Sequence, residues 1–364
     1  MELTYGPEFD RRCSLAEEAV SLARETGDAR TLAEVLRQAF YAYWSAQTLD
    51  LRGALIKELS ECAAASGDPA LQFWAHQVES HVYVEGGELL RAQATGESAR
   101  RIASELAQPS LKWFATFQHA GLELLCGDLA AAERIAERAF QIGQEAGEPD
   151  AILIYGIQLS FARRAQGRGE EIIAALEQRA SATPGIVAVR TGLAWTLCWL
   201  DRRSEAAAIL KEAASDRFEH ILPGVNELTA LVLYADVAAQ TGDCDAASIL
   251  HELIEPWADQ IAWNGVAAYG HARMYLGLLA TILGKHEHAD QHLSFACEFQ
   301  ETNSMPLWAA RAQLGWAEAL AVRGDSAGAR EHATRTLELS REHGYGLFEP
   351  RATALLAPQP AAEP

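Results

Sequence analysis

Apolar residues along the chain return at intervals of three and four. Between 128 and 146, Leu129, Ala132, Ile135, Ala136, Ala139 and Phe140 fall on one stripe, while Glu133, Arg134, Glu137, Arg138 and Gln141 fall mostly on the other. The stretch 225–241 is apolar around more of its circumference, the pattern of a helix packed between neighbours. Apolar–polar alternation over five or more residues does not occur, and Ala and Leu far outnumber β-branched residues, so no strand is expected. The pattern predicts an all-α chain of helices of roughly 15–18 residues, each about 25 Å long at a rise of about 1.5 Å per residue.

Turns separate these helices on a regular beat. One series runs Gly86-Gly87, Gly127-Asp128, Gly167-Arg168, Asp201-Arg202, Gly242-Asp243, Gly284-Lys285 and Gly324-Asp325, with steps of 41, 40, 34, 41, 42 and 40 residues. A second series keeps nearly the same beat: Gly27-Asp28, Gly67-Asp68, Gln108-Pro109, Glu148-Pro149, Pro184-Gly185, Pro223-Gly224, Asn264-Gly265 and Met305-Pro306. A fixed period of this size marks a repeat array and overrides the two or three domains that 364 residues would suggest.

Five residues after the turns of the first series a small residue usually returns: Ala132, Ala206, Ala247, Ala289 and Ala329, with Ile172 the exception. Four further on stand Ala136, Leu176, Leu210, Leu293 and Ala333, with His251 the exception. Two helices that cross closely need a small side chain at the crossing. The phrase G-D-x-x-x-x-A-x-x-x-[AL] resembles the tetratricopeptide repeat at its loop and second helix, on a period longer than the usual ~34 residues. The expected architecture is a right-handed superhelical solenoid of about eight TPR-like hairpins. A capping helix falls in 1–28, the array in 29–346, and a disordered Pro/Ala tail in 347–364. The shorter step from Gly167 to Asp201, with the Thr183-Pro184-Gly185 linker, predicts a bend near 180–225.

A nearer resemblance is carried by residues 127–168, 195–210, 231–259 and 275–296, beginning GDLAAAERIAERAFQIGQEAGEPD and continuing through LVLYADVAAQTGDCDAASILHELIEPWAD. In rhythm and phrasing these runs are similar to the C-terminal helical-repeat region of large bacterial ATP-binding regulators, in which a nucleotide-binding module and often a cyclase-type or LuxR-type domain accompany a repeat tail. The resemblance contains no catalytic motif, and the companion modules are not in this chain. It implies an interaction or effector-sensing module of a bacterial regulator.

Charge narrows the partners. Fifty acids against 30 Lys and Arg leave a net charge of −20. Such a chain is poorly suited to a phosphate backbone or an anionic membrane, so neither nucleic acid nor membrane is expected. The six cysteines are at least 46 positions apart and form no C-x-x-C pair. The N-terminus MELTYGPEFDRR lacks the apolar stretch of a signal peptide, and no run of about 18 apolar residues occurs. The expected location is the cytoplasm.

Candidate chemistry is sparse. From Gly277 to Gly284-Lys285 there are six intervening residues, and His286 stands where a phosphate loop needs Ser or Thr. Neither a G-x-S-x-G elbow nor a G-x-G-x-x-G motif is present, and no cofactor is expected. His286, His288 and His292 form the most metal-like group, but its geometry is better explained by a solvated helix face. No metal is expected there. His119 with Glu123, and His271 between Tyr269 and Tyr275, could do acid–base work, yet no nucleophile accompanies them and neither is expected to be catalytic.

Seven of nine tryptophans fall on first helices of repeats, the helices that line the concave face of a tetratricopeptide array. The candidate groove is therefore Trp74, His76, Trp113, Gln118, His119, Gln158, Arg190, Asn226, His271, Arg273 and Arg311, with the three arginines as anchors for a carboxylate. A non-enzymatic module holding a peptide, partner domain or small effector predicts an open, continuous groove. The alternative, a repeat protein recruited as an enzyme or small-molecule binder, predicts a closed central cavity with several titratable groups.

Overall fold

The computed structural model describes residues 8–357. After a first helix α1 (Phe9–Thr26) come eight antiparallel hairpins. They are α2 (Ala29–Tyr43) with α3 (Leu49–Ser66), α4 (Pro69–Glu85) with α5 (Leu89–Leu106), α6 (Pro109–Cys126) with α7 (Leu129–Ala146), and α8 (Ala151–Ala165) with α9 (Ile173–Ala182). Then follow α10 (Val187–Trp199) with α11 (Arg203–Ala214), α12 (Glu227–Thr241) with α13 (Cys244–Ile254), α14 (Ala272–Ile282) with α15 (His286–Thr302), and α16 (Pro306–Val322) with α17 (Ser326–His343). A last helix α18 spans Glu349–Leu356. Successive helices pack on one another along the chain, which is an all-α helical-repeat solenoid.

The turn chemistry accounts for the helix ends. Asp28, Asp68, Asp128, Asp243 and Asp325 each accept from a backbone N–H in the first turn of the helix they precede, at 2.8–3.0 Å. Gly127 and Gly242 close α6 and α12 in the left-handed conformation. The recurring small residues Ala132, Ala206, Ala247, Ala289 and Ala329 are all buried. At Gly277 on α14 a Cβ would stand 2.6 Å from Leu293 Cγ, which shows how closely paired helices approach.

Even-numbered helices form the inner layer, and α12 and α16 are buried around most of their circumference; odd-numbered helices show one buried stripe. The coil also closes on itself. Ser45 Oγ donates to Glu227 Oε2 at 2.6 Å, and the Tyr345 phenol Oη donates to the Gly127 carbonyl at 2.9 Å, across 182 and 218 residues of chain. Repeats roughly five apart thus meet along a seam.

Two expectations change. A short antiparallel hairpin, β1 (Ile261–Trp263) with β2 (Ala268–His271), stands where only helices were expected. Both strands are buried on both faces, so no period-two alternation marks them. Of the tail expected to be disordered, 349–356 is the helix α18, anchored by buried Ala352; residues 358–364 lie outside those described, as do 1–7 of the expected capping segment. Near 180–225, α9 has only 10 residues, and α8 touches α9 and α10 sparingly.

Candidate functional site

The hairpin determines what the inner layer can do. Its turn is built by Asn264, whose Oδ1 accepts from Val266 N at 3.1 Å and Ala267 N at 3.0 Å, while Gly265 adopts a φ of 84°. From that turn the hairpin enters the centre of the coil. At Gly121 on α6 a Cβ would lie 2.6 Å from the Val266 carbonyl oxygen, so only glycine permits the approach. Gln158 Nε2 donates to the carbonyls of Phe117 (2.7 Å) and Val266 (3.1 Å), and Gln260 Nε2 donates to that of Ala46 (2.9 Å).

The Trp263 indole donates to His81 Nδ1 at 3.0 Å. A neutral His81 that accepts at Nδ1 carries its proton on Nε2, which lies 3.1 Å from the side-chain amide of Gln118. Burial, aided by the nearby Arg52 charge, pushes the His81 pKa down to about 3 and keeps the ring neutral.

Two buried charge clusters flank the hairpin. Arg52 donates to both Glu85 oxygens, at 2.8 and 2.6 Å, and to the Ser45 carbonyl at 3.0 Å. Burial raises the Glu227 carboxyl, against the hydrogen bond from Ser45. Elsewhere Asp236 accepts from Trp195 Nε1 at 2.5 Å and from Arg311, whose guanidinium lies 5.3 Å from the Trp199 ring centre. Burial pushes the Asp236 carboxyl up, but Arg311 and the Trp195 indole outweigh it and hold the group below the ordinary carboxylate value.

The candidate groove residues separate into groups. Gln118 and Gln158 grip the hairpin, and Asn226 receives a 3.4 Å hydrogen bond from Asn264. His271 ends β2 and caps α14, accepting from Arg273 N at 3.3 Å; burial and then the Arg273 charge lower its pKa to about 4. Trp74 and Trp113 join through Phe114, away from the hairpin's charged neighbours. His76 pairs with Glu79 at 3.1 Å and His119 with Glu123 at 3.1 Å, both near the surface. The three arginines expected to anchor a carboxylate are each committed within the chain: Arg190 to Glu212, Arg273 to Asp259 and Arg311 to Asp236.

The hairpin strands are buried at every position, within the inner layer of helices. A cavity of about 10 Å³ lies between Trp44, Glu85, Val225, Leu228, Gln260 and Trp263. That volume matches a single water, and Trp44 Nε1 with the unpartnered Gln260 Oε1 gives it a polar lining. Among the described residues no three His, Cys, Asp or Glu side chains converge as a metal ion requires; His286 and His288 are exposed on α15. Nor is any described helix long and apolar enough to cross a membrane.

Sequence reasoning missed His81's role, Trp263, Gln260, and the Arg52–Glu85 and Ser45–Glu227 pairs. The available signal was Asn264-Gly265, the commonest dipeptide of a tight hairpin, between the apolar runs IAW and VAAY. No protein-family model matches the chain, and no curated protein matches its sequence.

Proposed function

We propose that this protein is a non-enzymatic interaction module, a helical-repeat scaffold that holds a protein or peptide partner on its surface rather than inside the coil. The observation that carries this reading is the buried hairpin. The place where a tetratricopeptide-like array would seat a ligand is taken by the chain's own hairpin, whose strands are buried at every position. The buried acids and bases around it are paired with one another, which suits a rigid scaffold better than a reacting site. The resemblance to the helical region of bacterial regulators supports the same reading, as does the high negative charge, which favours encounter with a basic or apolar partner.

The test is thermal melting of the chain against a metabolite mixture that includes nucleotides, organic acids and amines. No change in melting temperature is expected from any small molecule. A dose-dependent rise, abolished by a change in the central cluster such as Glu227→Gln, would overturn the reading and restore the small-molecule alternative.

A further inference from the structure

The regular packing fails at one place. α8 and α10 are successive inner helices, and near their C-terminal ends they are tied together. Arg164 Nε donates to Thr196 Oγ1 at 3.0 Å, and its guanidinium lies 4.4 Å from the Trp195 ring centre. Apart from this tie the two helices pack sparingly on one another, and the short α9 packs sparingly on α8. What this uncovers is apolar. Ile152 is 62% exposed, Leu153 41% and Ile186 44%, and Ile157 and Val189 are half-buried beside them.

The same face holds two glycines in helix interiors, Gly156 on α8 and Gly192 on α10. A Cβ on either would meet nothing within 4 Å. Glycine there costs about 1 kcal/mol relative to alanine and returns no contact within the chain. The inner-layer glycines Gly121, Gly277 and Gly315 differ, since each lies hard against a neighbouring residue.

Charge selects what covers this face. Residues 151–222 contain eight acids and nine bases, whereas the rest of the chain contains 42 acids and 21 bases. Several of the local charges are already paired, as in Arg168–Glu171, Arg190–Glu212 and Arg202–Glu205. A two-fold interface places one patch against itself, so a strongly charged patch repels its own copy and a neutral apolar one does not. Two chains of charge −20 approach most readily where the surface is locally neutral, as the stretch 151–222 is.

We propose that the α8–α10 face is the interface of a homodimer, with the exposed isoleucines and leucine of one chain packed on those of a second copy and the two glycines permitting close approach. This stands on the sparsely packed helices and the charge map, independently of the partner-binding reading above.

Sedimentation velocity of the full chain between about 1 and 100 µM is the test. A reversible transition to twice the chain mass is expected. Leu153→Glu and Ile186→Glu should weaken it tenfold or more, because each carries a carboxylate into the interface. Leu90→Glu on α5 and Val322→Glu on α16, at residues 84% and 80% exposed, should leave it unchanged. All four sites are exposed, and circular dichroism checks that the helices persist. A monomer at every concentration overturns the proposal, as does a dimer that survives both interface variants or is lost equally with Leu90→Glu. A monomer would leave the surface-scaffold reading untouched, since the metabolite screen tests that separately.

Discussion

Trp263→Ala is the sharpest test of the central hairpin. The side chain is 3% exposed, its indole donates to His81 Nδ1, and its ring edge stands over Gly121. A buried tryptophan removes about 150–250 Å² from water. At about 25 cal/mol per Å², truncation to alanine loses about 4 kcal/mol, in line with the ~3–5 kcal/mol measured for such core changes. Loss of the indole donor leaves the buried His81 Nδ1 unpaired and adds about 1 kcal/mol.

Translating this into temperature requires the cooperative unit. A chain of 364 residues melting as one unit changes entropy by about 0.8 kcal/mol/K, so a loss of 4 kcal/mol lowers the midpoint by about 5 °C. A solenoid held only by neighbour contacts would instead lose stability locally. Here the hairpin joins α4, α6 and α8 to α12 and α14, so the whole transition should move together. Urea unfolding and thermal melting, each followed by far-UV circular dichroism and by fluorescence, measure the free-energy loss and the midpoint shift. Trp74→Ala, at a half-buried ring beside Phe114, should cost less than half as much. A loss below about 1 kcal/mol at Trp263, or an equal loss at Trp74, would refute the account of the hairpin as the core of the coil.

Three further outcomes follow from the same geometry. Asp236→Ala should cost about 3–5 kcal/mol in urea unfolding, because it strands Arg311 in the interior, while Asp236→Leu combined with Arg311→Met should recover much of that loss. Gly121→Ala should destabilise by about 1–3 kcal/mol through its collision with Val266, whereas Gly156→Ala should raise the stability of the single chain by about 1 kcal/mol. His81 folds neutral with its pKa lowered from 6.5 to about 3, so its contribution is complete above pH 6.5 and is lost as the pH falls from 6.5 towards 3. Over that window stability should fall by up to about 1.4 kcal/mol per pH unit more in the wild type than in His81→Gln. Glu227, whose pKa is raised, acts with the opposite sign, and Glu227→Gln separates it.

What could be read from the chain, and what could not, divides along a physical line. Local chemistry was legible: the Asp residues after turns cap helices, and the alanines on the forty-residue beat are buried where helices cross. The hairpin escaped because Asn264-Gly265 fell on that beat and read as one more interhelical turn, and because strands buried on both faces carry no alternation. The polar residues of the inner helices looked available because their partners lie elsewhere in the chain. Yet those partners stand at repeat-like distances. His81 meets Gln118 across 37 residues, Gln158 reaches the Phe117 carbonyl across 41, Trp195 reaches Asp236 across 41, and Arg52 reaches Glu85 across 33. In a coil of stacked hairpins an inward polar group faces the equivalent surface of the next repeat, so its first candidate partner lies one period along the sequence. In this chain that rule pairs His81, Gln158, Trp195 and Arg52 with their partners. It fails across the seam, for Ser45–Glu227 and Tyr345–Gly127, for Arg311–Asp236 across 75 residues, and where the non-repeating hairpin region intrudes at Trp263 and Gln260.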